Sequence, residues 1–139
     1  MFRGEAKDWF EGALVDLEEA RDALARGRYN WALFAAHQAV EKALKAAYMV
    51  LKRRRPPKTH DLARLIGELG LEIPGELRTG ISELSPYYTV ARYPNAGLER
   101  PWESIDRRTA ERLVRVAEEV VGYVGRVAGL KQAESTGED

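Results

Sequence analysis

The 139-residue sequence predicts an all-α protein, an antiparallel, up-and-down bundle of four to five helices. Three observations carry this. No segment alternates apolar and polar residues as a half-buried strand does. Apolar residues recur instead at intervals of three and four, in Ala6, Phe10, Ala13, Leu17, Ala20 and Leu24 and again in Ala110, Leu113, Ala117, Val120, Val124 and Val127. Glycine and proline then stand where such stripes stop.

Taken in order, the first helix runs from about Glu5 to Arg26, and Gly27 is its stop. The second follows Asn30 as N-cap and continues to about Lys52. Arg53-Arg-Arg-Pro-Pro-Lys58 ends it, because Pro56 disfavours a helical Arg55. A short third helix starts after a Thr59 cap and reaches Leu69, closed by Gly70. Pro74-Gly75 opens a fourth, about Glu76 to Arg92, bent near Pro86. A loop leads from Tyr93 through Pro101-Trp102, and the last helix begins between Ser104 and Asp106. Gly122, Gly125 and Gly129 weaken its end by roughly 1 kcal/mol each, which predicts fraying. The chain reads as one domain over residues 1–130 with a disordered polar tail over 131–139.

Composition narrows the functional classes. Lysine plus arginine and aspartate plus glutamate both number 22, so the net charge is zero. That argues against strong sequence-independent DNA binding, while leaving room for a local basic patch. There is no cysteine, which excludes disulfides, thiolate metal sites and cysteine nucleophiles. With two histidines and no close His/Asp/Glu cluster at ligand spacing, neither a metal nor another cofactor is expected. No apolar run approaches the ~20 residues that span a bilayer, and Met1 to Asp8 lacks the apolar centre of a signal peptide. A soluble, cytoplasmic protein without membrane contact is the expectation.

The second helix is the most informative stretch. Its alanines, with Leu33, Val40, Leu44, Val50 and Leu51, fill about half of the helical wheel. So wide an arc implies more than one neighbour. The other half carries Trp31, Phe34, His37, Gln38, Glu41, Lys42, Lys45, Tyr48 and Met49. Aromatics among charges point either to a subunit interface, with Trp31, Phe34 and Tyr48 in it, or to a polar cleft. A site formed at an interface satisfies both.

Three stretches resemble a known family. Arg28 to Ala46 is similar to the second-helix signature of HEPN domains (higher eukaryotes and prokaryotes nucleotide-binding). Lys58-Thr-His-Asp-Leu62 resembles the start of the next helix, and Tyr88-Thr-Val-Ala-Arg-Tyr-Pro-Asn-Ala96 an Arg-Tyr-Pro element near a late loop. With the three in this order, the resemblance covers about residues 5 to 128, as in a stand-alone prokaryotic member. The resemblance implies a compact helical bundle, homodimerisation and association with a minimal nucleotidyltransferase, often as a toxin–antitoxin pair. Some members are metal-independent ribonucleases whose motif is Arg, four to six residues, then His, at the dimer cleft. Others bind nucleotides.

This chain departs from the ribonuclease motif. After Arg92 the histidine positions hold Gly97, Leu98 and Glu99, and no histidine follows His60. Arg54 and Arg55 precede His60 at a formally matching interval, but in the linker rather than in the family's late position.

Cleaving RNA through its 2′-hydroxyl needs a proton acceptor near neutrality and a cation for the phosphorane. Arg92 suits the second role, and His60 or His37 would have to supply the first. His60 sits at a helix start whose N–H groups could meet a phosphate, or which is only a capped turn. Arg92 either caps carbonyls or, with Tyr93, Tyr87, Tyr88 and Trp102 near in sequence, holds a phosphate beside a stacked base. Lys52 to Arg55 with Lys58 form the densest basic run. The leading expectation is a non-catalytic or weakly catalytic partner of a minimal nucleotidyltransferase. Glu41, Lys42, Lys45, His60, Arg92 and Tyr93 would line its nucleotide or RNA site. The alternatives are a ribonuclease using Arg92 with a displaced histidine, and a ligand-free dimeric scaffold.

Overall fold

The computed structural model describes residues 2–130; the polar tail expected over 131–139 lies outside them. Helix α1, Arg3–Ala25, buries Ala6, Phe10, Ala13, Leu17 and Ala20 of the predicted stripe, then Ala23, while the expected Leu24 is only partly buried. Gly27 adopts φ 76°, and the Arg28 N–H bonds the Ala23 carbonyl oxygen at 2.9 Å, so α1 turns sharply into α2, Tyr29–Lys52. Three connecting residues force the two long helices to lie antiparallel.

The remaining elements wrap α2. They are α3 (Leu62–Leu69), α4 (Gly75–Leu84), α5 (Tyr87–Val90), α6 (Pro101–Ser104) and α7 (Arg107–Ala128). Helix α2 touches every other helix of the described residues, which explains its composition. Ala32, Ala36, Ala39, Ala43, Ala46 and Ala47 have no exposed surface, and small side chains let α1 and α7 approach from two sides. No described helix is long and apolar enough to cross a membrane.

Several boundaries differ from the sequence expectation. Arg28, not Asn30, is the N-cap of α2. Asn30 lies inside the helix, buried, and its Nδ2 donates to the Ala91 carbonyl oxygen at 3.1 Å. A distant carbonyl thus claims the amide that local rules assign to capping. Helix α3 is capped by Asp61, whose carboxylate accepts from the Arg64 N–H at 3.1 Å, while Thr59 Oγ1 accepts from the Asp61 N–H. The expected bent helix over Glu76 to Arg92 is two helices, since Pro86 supplies no N–H to carry α4 onward. The loop through Pro101-Trp102 contains α6, with proline at the start of its first turn. Helix α7 starts after Asp106 as expected and runs through Gly122 and Gly125 to its Gly129 cap.

Two connections position the site. The linker Arg53–Asp61 begins with Arg53 in the left-handed region (φ 56°) and doubles back along α2. It brings His60 beside Glu41, eleven residues or about 16 Å before the end of α2. From the other side, α5 and the turn after it carry Tyr88 and Arg92 against the first half of α2.

Candidate functional site

His37, Glu41 and Lys45 follow one another at four-residue intervals, so they form one line along α2. Wheel geometry alone assigns this line to an open polar half. The structure instead encloses it: His37 has no exposed surface, and Glu41 and Lys45 are buried. The Glu41 carboxylate is satisfied twice. Lys45 Nζ donates to Oε2 at 2.9 Å, and His60 Nδ1 lies 3.0 and 3.1 Å from its two oxygens. A carboxylate at Nδ1 favours the tautomer that carries hydrogen there, which leaves Nε2 as a lone-pair acceptor. Half of the His60 side chain is exposed (51%), so this ring links the buried line to solvent.

His37 is the opposite case. Its Nδ1 is 3.7 Å from Glu41 Oε1, and neither ring nitrogen has a hydrogen-bond partner among the described residues. Burial pushes its pKa down to about 4. Glu41 opposes that fall, while His60 and Arg92 add to it. His37 is therefore neutral at pH 7.

Tyr88 joins this cluster to Arg92. The His60 ring stacks on Tyr88 with centroids 4.0 Å apart and planes 18° apart, and His37 lies 5.4 Å from the same ring. The Arg92 guanidinium carbon is 4.4 Å from the Tyr88 ring centre, 4.9 Å from Phe34 and 4.9 Å from Tyr93. Arg92 Nε also donates to the Tyr88 carbonyl oxygen at 2.6 Å, the carbonyl-capping role considered for it from sequence. Arg92 forms no ion pair among the described residues, in contrast to Arg21, Arg55, Arg64 and Arg112. Trp31 extends the aromatic surface, edge-on to Phe34 at 6.1 Å and 49% exposed, and Tyr93, on Arg92, is 51% exposed.

Glu41, Lys45, His60, Arg92 and Tyr93 thus fall in one neighbourhood. Lys42 does not: it turns toward α1 and pairs with Asp16 at 2.9 Å. Tyr48, expected at an interface, is buried within the chain, with its hydroxyl donating to Glu68 Oε1 at 3.2 Å. The linker arginines point elsewhere, Arg54 to the Tyr48 hydroxyl and Arg55 to Glu5. The sequence marks Tyr88 only as a neighbour of Arg92, and its contact with both histidines is a product of the fold. No local pattern relates residue 88 to residue 60.

The family profile described as HEPN domain matches residues 6–127, nearly the whole helical body. The chain belongs to the HEPN domain family. Among solved structures, a protein of Thermus thermophilus is 33% identical, with TM-score 0.78, over 91% of this chain and 98% of that one. An archaeal HEPN homologue is 28% identical, with TM-score 0.74, over 88% of this chain and 97% of that one. A HEPN domain protein of Thermotoga maritima is 32% identical, with TM-score 0.68, over 88% and 98%. No curated protein matches the chain. In this HEPN domain the exposed histidine of the site, His60, comes from the linker before α3 and is joined to Arg92 through Tyr88, and no histidine follows Arg92 in the sequence.

Proposed function

We propose that this HEPN domain binds a nucleotide or RNA phosphate at Arg92, without catalysis or with little, as the partner of a minimal nucleotidyltransferase. The observation that carries this is the state of Arg92. Three aromatic rings and one carbonyl hold its guanidinium in place, yet no carboxylate among the described residues neutralises it. A guanidinium with terminal N–H groups to spare is a pre-oriented fork for a phosphate. The charge balance agrees: Lys45 offsets Glu41, His37 is neutral, and Arg92 adds to this cluster a positive charge unpaired among the described residues. Tyr93 and Trp31 offer exposed rings to the base of such a ligand. The same exposed aromatics favour a second copy of the chain at the mouth of the site. The nucleotidyltransferase partner is part of this proposal, suggested by the family resemblance alone, and co-expression tests it, since separate migration under native conditions removes that part. Titration with AMP and ATP tests the ligand, with Arg92→Ala as the control.

One observation favours a second reading, a ribonuclease. Glu41 orients His60 so that Nε2 can accept a proton, the arrangement a general base requires. Arg92 would then stabilise the phosphorane. RNA cleavage in EDTA that is lost in both His60→Ala and Arg92→Ala supports it. Intact RNA at high protein concentration leaves the binding module. A protein that binds no nucleotide and cleaves no RNA is the ligand-free scaffold.

A further inference from the structure

The buried line on α2 does not end at Glu41. Lys45, paired with Glu41, also lines a small recess of about 190 Å³ between α1, α2 and the linker. Trp9 of α1 forms one wall, and Lys45 Nζ lies 5.9 Å from its ring centre. Met49 and the Pro56-Pro57 pair complete the apolar surface, and the two proline rings stiffen that side. The rim is basic: Arg55 is shared with Glu5 at 2.6 Å, while Lys58 is exposed and forms no ion pair among the described residues.

Pockets for drug-sized ligands run to roughly 300–1,000 Å³, so this recess takes about one ring and not a whole nucleotide. A recess lined by an indole ring and two proline rings suits a planar ring, and cations at the rim suit the phosphate attached to it. With a net charge of zero over the chain, such a basic rim is a local feature. The recess also has a defined relation to Arg92. Phe34, which touches Arg92, and Lys45, which touches Trp9, are eleven residues apart on α2, about 16 Å. A mononucleotide at Arg92 does not reach that far, but a short strand does.

We propose that the Trp9 recess is a base-stacking subsite for a nucleotide flanking the one at Arg92, so that the ligand of this face is a single-stranded oligonucleotide. The proposal deepens the phosphate-binding reading of Arg92 and rests on it. Stacking of the flanking base on Trp9 strengthens binding of the strand and leaves a mononucleotide unaffected.

The test uses the full chain, a fluorescent single-stranded RNA tetranucleotide and AMP as competitor, with Trp9→Ala, Trp9→Phe, Lys58→Ala and Arg92→Ala. The tetranucleotide should bind roughly 5- to 150-fold more tightly than AMP, the range for one stacked base. Trp9→Ala should remove that advantage, Trp9→Phe should keep most of it, and neither should change AMP affinity. Lys58→Ala should weaken the strand alone and lower its salt dependence by about 0.7 in the log–log slope. If Trp9→Ala, folded by circular dichroism, binds the tetranucleotide like the parent, the subsite is overturned, while loss of both ligands in Arg92→Ala still upholds the Arg92 reading. If neither ligand binds the parent protein, both fall.

Discussion

His60 meets Glu41 across nineteen positions of sequence, its Nδ1 3.0 Å from Glu41 Oε2. One carboxylate therefore clasps the linker to α2 and simultaneously neutralises Lys45 beneath it. The clasp is what closes the polar line of α2, and its removal exposes how the site is held.

Glu41→Ala should destabilise the protein strongly, because it leaves Lys45 buried with no carboxylate. Losing one member of a buried ion pair costs about 3–5 kcal/mol. Urea unfolding should show a fall of that order. The double variant Glu41→Ala with Lys45→Met should recover much of it, since the uncompensated charge is then gone. Equal destabilisation in the single and double variants would mean that the pair is not energetically coupled.

His37 makes stability depend on pH in a definite direction. Its folded pKa is about 4, below the 6.5 of an exposed histidine. The unfolded chain thus takes up a proton, as pH falls from 6.5 toward 4, that the folded chain refuses. This contribution is fully present above pH 6.5 and is lost across that window, at up to about 1.4 kcal/mol per pH unit. Comparing urea midpoints from pH 8 to 4 for the parent and His37→Gln isolates it. The difference between the two curves should change below pH 6.5, and parallel curves would count against a neutral buried imidazole.

Arg92→Ala should weaken nucleotide binding by roughly 10- to 150-fold, the range for charge-assisted hydrogen bonds of about 1.5–3 kcal/mol. Arg92→Lys should rescue little of it. An ammonium keeps the charge but loses the planar fork and the stacking among Phe34, Tyr88 and Tyr93. Calorimetric titration distinguishes this from an overall charge effect, in which lysine would restore binding.

Asn30→Ala should lower nucleotide affinity without touching the ligand. Its amide holds the Ala91 carbonyl next to Arg92, and leaving that carbonyl unsatisfied costs about 1–3 kcal/mol. Affinity should fall with stability, whereas Thr79→Ala, on α4, should leave affinity unchanged.

Helix packing can be tested at Gly80. A methyl group there would sit 2.7 Å from both Val116 γ-carbons, where α4 crosses α7. Gly80→Ala should cost about 1–3 kcal/mol from overpacking, and Val116→Ala in the same chain should return part of it. Thermal unfolding gives the readout.

The long helices are legible in the sequence because their causes are local. The 3-4 stripe of α1, Gly27 after it, and Asp106 before α7 each act within a turn or two of chain. The fourth helix departs from expectation because Pro86 breaks rather than bends it, and Asn30 because a carbonyl sixty-one residues away outbids a local cap. Among the site residues, Arg92, His60 and Glu41 are identifiable from motif resemblance and residue type. Their mutual placement is not.

Chain order and residue type were enough for the class of fold, the helix that carries the buried polar line and the family. These depend on periodicity and on short-range rules of capping and termination. Burial of His37, Glu41 and Lys45, the turning of Lys42 toward Asp16, and the meeting of His60 with Arg92 through Tyr88 depend on what packs against α2. A helical wheel divides residues into apolar and polar, but along a helix that its neighbours cover over most of its surface, with Trp31 and Leu51 left exposed, polarity alone does not say which residues face solvent. Where each polar group goes is then set by partners brought in from distant parts of the chain.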